Sequence, residues 1–282
     1  MTEGNPENQR KDSVHYTRHS RAKYGSYARI AESENPQGSI HHEDQVTPDL
    51  PEAGVELAKV EAEKFFAELN PGTDELFFVS SGQTRALETA AIYRGVAKAK
   101  NFEILAPENV RGNLAREIGG GDIRLVRNLS LKPSNVLIDS IFNPDRTLPA
   151  INWDAVDLET RNRWEKAHKM IQDDDKGSWG ANMFHHGAEV KKLFPEVDTA
   201  EELYESQFKN LLRLAEFGMK KAGESGREKN LKILAFGHES YMGHALQQYF
   251  ENHEVKNCET VTFELDEQGA FTLEHRGAKV RL

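Results

Sequence analysis

Compact apolar runs alternate with segments of helical period along most of this chain, and that alternation restricts the fold more than any other property of the sequence. ELFFVSS at 75–81 is an unbroken apolar run of strand length. It leads into TRALETAAIYRGVAKA at 84–99, which is rich in alanine and reads as a helix. LKILAFGHE at 231–239 is a second such run, followed by SYMGHALQQYFEN, in which Met242, Ala245, Leu246, Tyr249 and Phe250 share one helical face. Val14–Thr17 and FEILAP at 102–107 read as further short strands. PEAGVELAKVEAEKFFAEL places Val55, Ala58, Ala62, Phe65 and Leu69 at intervals of three and four, with Pro51 suited to a first helical turn. A strand that is apolar throughout must be covered on both faces, and strand–helix–strand succession favours parallel pairing. The expected fold class is α/β: a three-layer sandwich, a mainly parallel sheet with helices on both faces.

The rest of the chain fits around that frame. From about 107 to 200 the pattern loosens, with GGG at 119–121, several prolines, three tryptophans and the DDD run at 173–175. This segment reads as an insertion carrying helices, one of them near 156–172. AEELYESQFKNLLRLAEFGMKKAG at 200–223 is a long amphipathic helix, and TVTFELDEQGAFTLEHR alternates around Glu267-Gln268-Gly269 as a hairpin. The polar opening MTEGNPENQRKDS lacks the apolar stretch of a secretory signal and is expected to be a disordered tail over 1–13. Residues 14–282 then form a single domain, and no internal repeat is visible.

Charge and cysteine usage narrow the function. The net charge of −10 argues against a general nucleic-acid or anionic-membrane binder. A single cysteine, Cys258, allows no intrachain disulfide and points to a cytoplasmic protein. No apolar run approaches the roughly 20 residues of a membrane helix. Oligomeric state is unreadable.

In sheets of the expected kind, ligands bind beyond the carboxyl ends of the strands. Three such ends carry chemistry: Arg18-His19, Ser80 through Arg85, and Gly237-His238-Glu239. Arg18, Arg21 and Arg85 offer forked donors matched to phosphate oxygens. Arg85 and Ser240 lie near predicted helix starts, where backbone N–H groups favour anions. A neutral imidazole is a competent nucleophile toward phosphorus, and a protonated one adds charge to phosphoryl oxygens. Each piece alone has a bland reading: a solvated basic turn, a helix-start arginine, a loop histidine. Together on one rim they describe an anion site with a nucleophile in it.

These residues resemble the histidine phosphatase superfamily, also called phosphoglycerate mutase-like. The family's opening Arg-His-Gly is matched by Arg18-His19-Ser20, and its Leu-Thr-x-x-Gly-x-x-Gln-Ala by the segment from Leu50 to Ala58. Its Ser-x-x-x-Arg-Ala-x-x-Thr-Ala is matched by Ser81 through Ala90, and its late Gly/Ser-His by Gly237-His238. The likeness covers about 14–104 and 200–282, with the second block the most specific. The resemblance implies that His19 attacks phosphorus and becomes phosphohistidine, while Arg18, Arg85 and His238 hold the phosphoryl oxygens. It also implies a carboxylic acid that protonates the leaving alcohol and then activates water. Glu117, in Leu114-Ala115-Arg116-Glu117, is the candidate; Glu239 is the rival and Glu108 a third option. Two positions depart from the family: Ser20 replaces glycine, and Arg21 stands where many members have Glu or Gln. Ser20, Arg21, Glu239 and Ser240 join Arg18, Arg85 and His238 as candidate phosphate-binding residues.

Other motifs carry less. His41-His42 and His185-His186 lack partners at metal-ligand spacing, so no metal and no cofactor is expected. Gly119–Gly121 is not a dinucleotide fingerprint. Trp153, Trp164 and Trp179 read as insertion core. The leading expectation is a metal-independent phosphomonoester hydrolase acting on a small phosphorylated molecule or a phosphoprotein. A phosphoglycerate mutase-type enzyme ranks lower, because its Glu-Arg-His-Tyr-Gly segment is absent. A non-catalytic phosphate-binding or protein-binding module is the third reading.

Overall fold

A computed structural model of the chain describes residues 10–22, 50–105, 123–126, 129, 136–142, 151–173, 179–251, 254–266 and 268–282. In chain order the elements are β1 (Ser13–Arg18), α1 (Glu52–Ala67), β2 (Asp74–Ser80), α2 (Thr84–Ala99), β3 (Glu103–Ile104) and β4 (Ile123–Leu125). The helices α3 (Val136–Phe142), α4 (Leu158–Asp173), α5 (Trp179–Leu193), α6 (Ala200–Leu203) and α7 (Lys209–Glu224) follow. The chain closes with β5 (Asn230–Gly237), α8 (Ser240–Tyr249), β6 (Thr260–Leu265), β7 (Phe271–His275) and β8 (Ala278–Arg281).

The eight strands form one sheet in the order β3-β2-β5-β1-β6-β7-β8, with β4 also paired to β2. Pairing is parallel from β3 and β4 through β2 and β5 to β1, and antiparallel from β1 through β6 and β7 to β8. Two interior strands of the parallel part are buried on both faces: β2 along its whole length and β5 along all but its first residue. Alternate residues then face opposite layers. Leu76, Phe78, Leu234 and Phe236 pack with Ala62, Phe66, Leu87, Ala90 and Tyr93 of α1 and α2. Phe77, Val79, Ile233 and Ala235 pack on the other face with helices that include α4, α7 and α8. The three-layer α/β architecture expected from the sequence is the one observed.

Several details differ from expectation. Residues 10–13 of the expected disordered tail belong to the fold. Ser13 opens β1, and buried Asp12 accepts a hydrogen bond from Leu231 N at 2.7 Å, a non-local contact that no local pattern reveals. The insertion does carry helices, but it also supplies β4 to the sheet edge. Among the described residues of the expected strand at 102–107, only the two of β3 are in strand conformation. The long helix at 200–223 is broken at Tyr204–Phe208 by a π-helical turn. Beyond the expected hairpin, β8 pairs with β7 across a two-residue turn. Arg276 and Gly277 there have φ of 51° and 82°, the left-handed pair that suits the twist of a hairpin. Among the described residues no helix is long and apolar enough to cross a membrane.

Candidate active site

The parallel register sets the site before any side chain is considered. Arg18 lies opposite Gly237 at the ends of β1 and β5, and Ser80 lies opposite Phe236 at the end of β2. Three chain segments therefore leave the sheet side by side: Arg18-His19, Ser81 through Arg85, and His238-Glu239. His19 N donates to Gly237 O at 2.9 Å and Ser81 N to Phe236 O at 2.9 Å, so the pairing extends one residue past the strands.

His19 is buried, and its ring is fixed at both nitrogens. Nδ1 lies 2.7 Å from Ser20 O. A carbonyl only accepts, so Nδ1 carries the proton and Nε2 holds the lone pair. Arg85 Nε donates to that lone pair at 3.2 Å. His238 faces the same ring edge-on with centroids 5.2 Å apart, and its Nε2 lies 3.0 Å from Ser81 Oγ. Ser81 Oγ in turn accepts from Gln83 N at 3.2 Å, and Arg85 Nη1 donates to Gln83 Oε1 at 3.2 Å. The three sequence-predicted strand ends thus meet around one imidazole.

Two tight approaches explain the motif glycines. A Cβ on Gly237 would overlap the Tyr16 hydroxyl, which donates to His238 O and accepts from His238 N at 2.6 Å each. A Cβ on Gly54 would overlap the carbonyl oxygen of Arg21. The glycine of the Leu50–Ala58 segment therefore lets the chain after His19 lie directly against the start of α1.

Arg18 is bound on its far side. Its Nη1 pairs with Glu239 Oε2 at 2.9 Å and donates to Val255 O at 2.5 Å, while its Nε is buried with no hydrogen-bond partner among the described residues. Burial pushes the Glu239 carboxyl above its ordinary range, Arg18 opposes that shift, and Glu254 adds to it. The site therefore contains a desolvated carboxyl beside a guanidinium whose Nε has no hydrogen-bond partner among the described residues.

The two departures from the family pattern have definite places. Ser20 is fully buried, and its hydroxyl donates to Gly54 O at 2.6 Å, so that proton is committed inside the fold. Arg21 is exposed. Ser240 begins α8 directly after Glu239. Glu117, Glu108, His41, His42 and Gly119–Gly121 lie outside the described residues. His185 and His186 sit within α5, and Trp164 is core, with Trp153 packed edge-on against it at 4.7 Å.

Sequence reasoning missed several residues that build this site. Thr89 Oγ1 accepts from Ser20 N at 2.9 Å and donates to Arg85 O at 2.7 Å, tying the segment that follows His19 to α2. It was visible as the threonine of the Ser81–Ala90 block, but its role was not. Asn257 Nδ2 donates to His19 O at 2.9 Å. No sequence signal marks it, because it lies 238 positions away in the chain. Cys258, beside it, is buried, and its thiol is pushed up to about 11, which keeps it protonated and unreactive at neutral pH.

No protein-family model and no curated protein matches the sequence. Among solved structures the chain is similar to a phosphoglycerate mutase from Bacillus anthracis str. Sterne, with 13% identity, 96% of this chain and 94% of that chain covered, and a TM-score of 0.51. It is also similar to a mycobacterial glucosyl-3-phosphoglycerate phosphatase, with 14% identity, 95% and 99% of the two chains covered, and a TM-score of 0.46. A Bifidobacterium longum multiple inositol polyphosphate phosphatase matches at 10% identity, over 99% and 88% of the two chains, with a TM-score of 0.45. At such identities it is the backbone that is shared. The chain has the α/β fold of that phosphoglycerate mutase.

Proposed function

We propose that the chain is a phosphoryl-transfer enzyme, a phosphomonoester hydrolase that works through a phosphohistidine at His19. The observation that carries this reading is the state of the His19 ring: Nδ1–H is held by Ser20 O, and Nε2 is presented with its lone pair to Arg85. A substrate phosphoryl group placed at Nε2 exchanges the Arg85 contact for its own oxygens. It also supplies an acceptor to the buried Arg18 Nε. The Nε2 lone pair forms the N–P bond as the P–O bond to the leaving alcohol breaks. A carboxylic acid gives that oxygen its proton. Water then attacks phosphorus, the carboxylate takes the water proton, and phosphate leaves with His19 restored. Arg18, Arg85 and His238 carry the charge of the transferring group, so this reading calls for no metal.

Of the carboxyls proposed for the acid, Glu239 is the one supported by described geometry. It adjoins Arg18, and burial favours its protonated form. The substrate in this reading is a small phosphorylated molecule or a phosphoprotein. The test is hydrolysis of an activated aryl phosphate together with trapping of labelled phosphoenzyme. His19→Ala should lose both while its circular dichroism and urea unfolding match the parent. Undiminished hydrolysis in that variant removes the proposal.

A further inference from the structure

The reading of His19 as nucleophile leaves one question about its main chain: what stops the peptide after it from turning? The His19–Ser20 peptide unit is held at both ends. Its N–H, from Ser20, donates to Thr89 Oγ1 at 2.9 Å, and its C=O, from His19, accepts from Asn257 Nδ2 at 2.9 Å. The next carbonyl, Ser20 O, is the one that fixes the His19 tautomer. A turn of the first peptide plane would swing that carbonyl away from Nδ1. Thr89 belongs to a motif block; Asn257 comes from a loop at the other end of the chain.

That loop is built to hold its place. Glu259 N donates to Lys256 O at 3.0 Å, closing a turn in which Cys258 has a φ of 61°, a left-handed conformation that residues with a Cβ rarely adopt. The turn is fastened to the nucleophile strand by Cys258 N to Arg18 O at 3.0 Å and by Arg18 N to Glu259 O at 3.1 Å. From outside it is gripped by Arg276 at the tip of the β7–β8 hairpin. Arg276 Nε and Nη2 bind the two Glu259 carboxylate oxygens at 2.6 and 2.9 Å, and Nη2 also donates to Glu254 O at 3.1 Å. A bidentate guanidinium–carboxylate pair gives this clamp a defined direction.

We infer that Asn257 is a positioning residue for the nucleophile: its amide fixes the His19–Ser20 peptide plane, and the Arg276–Glu259 pair on the terminal hairpin holds Asn257 there. The inference rests on His19 being the nucleophile, and its test separates the two ideas. Asn257→Asp keeps the shape but faces the His19 carbonyl with an acceptor, Asn257→Ala removes the donor, and Arg276→Gln loosens the clamp from outside the site. With an aryl phosphate substrate, Asn257→Asp and Asn257→Ala should lower kcat and the rate of phosphoenzyme formation by about ten-fold or more, with KM changed by less than about two-fold. Arg276→Gln should lower kcat in the same direction by a smaller factor. In ring 15N spectra, the His19 signals should lose the Nδ1–H pattern of the parent in the Asn257 variants. Parental kcat and parental ring signals in Asn257→Asp overturn the inference, whatever its unfolding midpoint. If the parent forms no phosphohistidine, the functional reading fails, and the ring signals alone still decide whether Asn257 positions His19.

Discussion

Replacing Gly237 by alanine should damage the protein in a way that can be apportioned. The new methyl would overlap the Tyr16 hydroxyl and lie 3.0 and 3.1 Å from Cζ and Cε2 of that ring. Tyr16 has no room to retreat: it is fully buried and packs edge-on against Phe208, also fully buried, at 5.3 Å. Either the ring moves and both hydrogen bonds to the His238 main chain fail, or the end of β5 moves and takes His238 with it. Overpacking of this kind costs about 1–3 kcal/mol, and each buried backbone group left unpaired costs about 1–3 kcal/mol. A loss of at least about 3 kcal/mol is therefore expected, which lowers the urea midpoint by about 1 M or more if the slope is near 3 kcal/mol/M. Tyr16→Phe, which leaves the same two groups unpaired without adding bulk, should cost about 2–3 kcal/mol. The two substitutions destroy the same hydrogen bonds, and removing the hydroxyl relieves part of the overlap. The double variant should therefore be more stable than the sum of the two losses implies, by at least about 1 kcal/mol. Urea unfolding of the four proteins measures this. Additivity within about 0.5 kcal/mol would refute the claim that the glycine exists to admit the tyrosine hydroxyl.

Ser20→Gly removes the bond to Gly54 O; unfolding should show a loss of about 1 kcal/mol, and aryl phosphate turnover, if His19 acts as proposed, should persist. Glu239→Gln should slow alkyl phosphates far more than aryl phosphates, because a good leaving group needs little protonation. Burial raises the Glu239 carboxyl, so in the proposed reading parental alkyl phosphate turnover should fall as pH rises and that group loses its proton; the variant's pH–rate profile should lack this fall. His15, on β1, is buried between Ser13 Oγ at 2.9 Å and Thr262 Oγ1 at 3.1 Å, and desolvation with nearby Lys232 lowers its pKa to about 3. The unfolded chain binds that proton from about pH 6.5 downward and the folded chain only near 3. Stability should therefore drop as pH falls through this window, by up to about 5 kcal/mol, and no further from this group below it. His15→Gln should unfold with a shallower pH dependence between those limits.

The α/β class was legible in the amino-acid sequence because both of its signals are local. ELFFVSS and LKILAFG each hold four consecutive apolar residues, Leu76–Val79 and Ile233–Phe236, so each must be buried on two faces, and the helices between them show their own periodicity. The strand ends at His19, Ser81 and His238 were legible for the same reason. Once the sheet is parallel, its carboxyl ends must lie together. Contacts made by residues distant along the chain were not. Asp12 in the expected tail, the supply of β4 from the insertion, and Asn257 under the His19 carbonyl all depend on pairings that carry no local pattern. Ser20 shows the division within one residue. As a letter it was a departure beside the nucleophile, equally suited to touching phosphate. In the folded chain its three polar groups are committed: the amide to Thr89, the carbonyl to the His19 ring, the hydroxyl to Gly54. Composition and order along the chain specify which elements form and which ends converge. Which atom of a converging residue faces the reaction is set by packing, because that choice belongs to neighbours the chain brings in from far away.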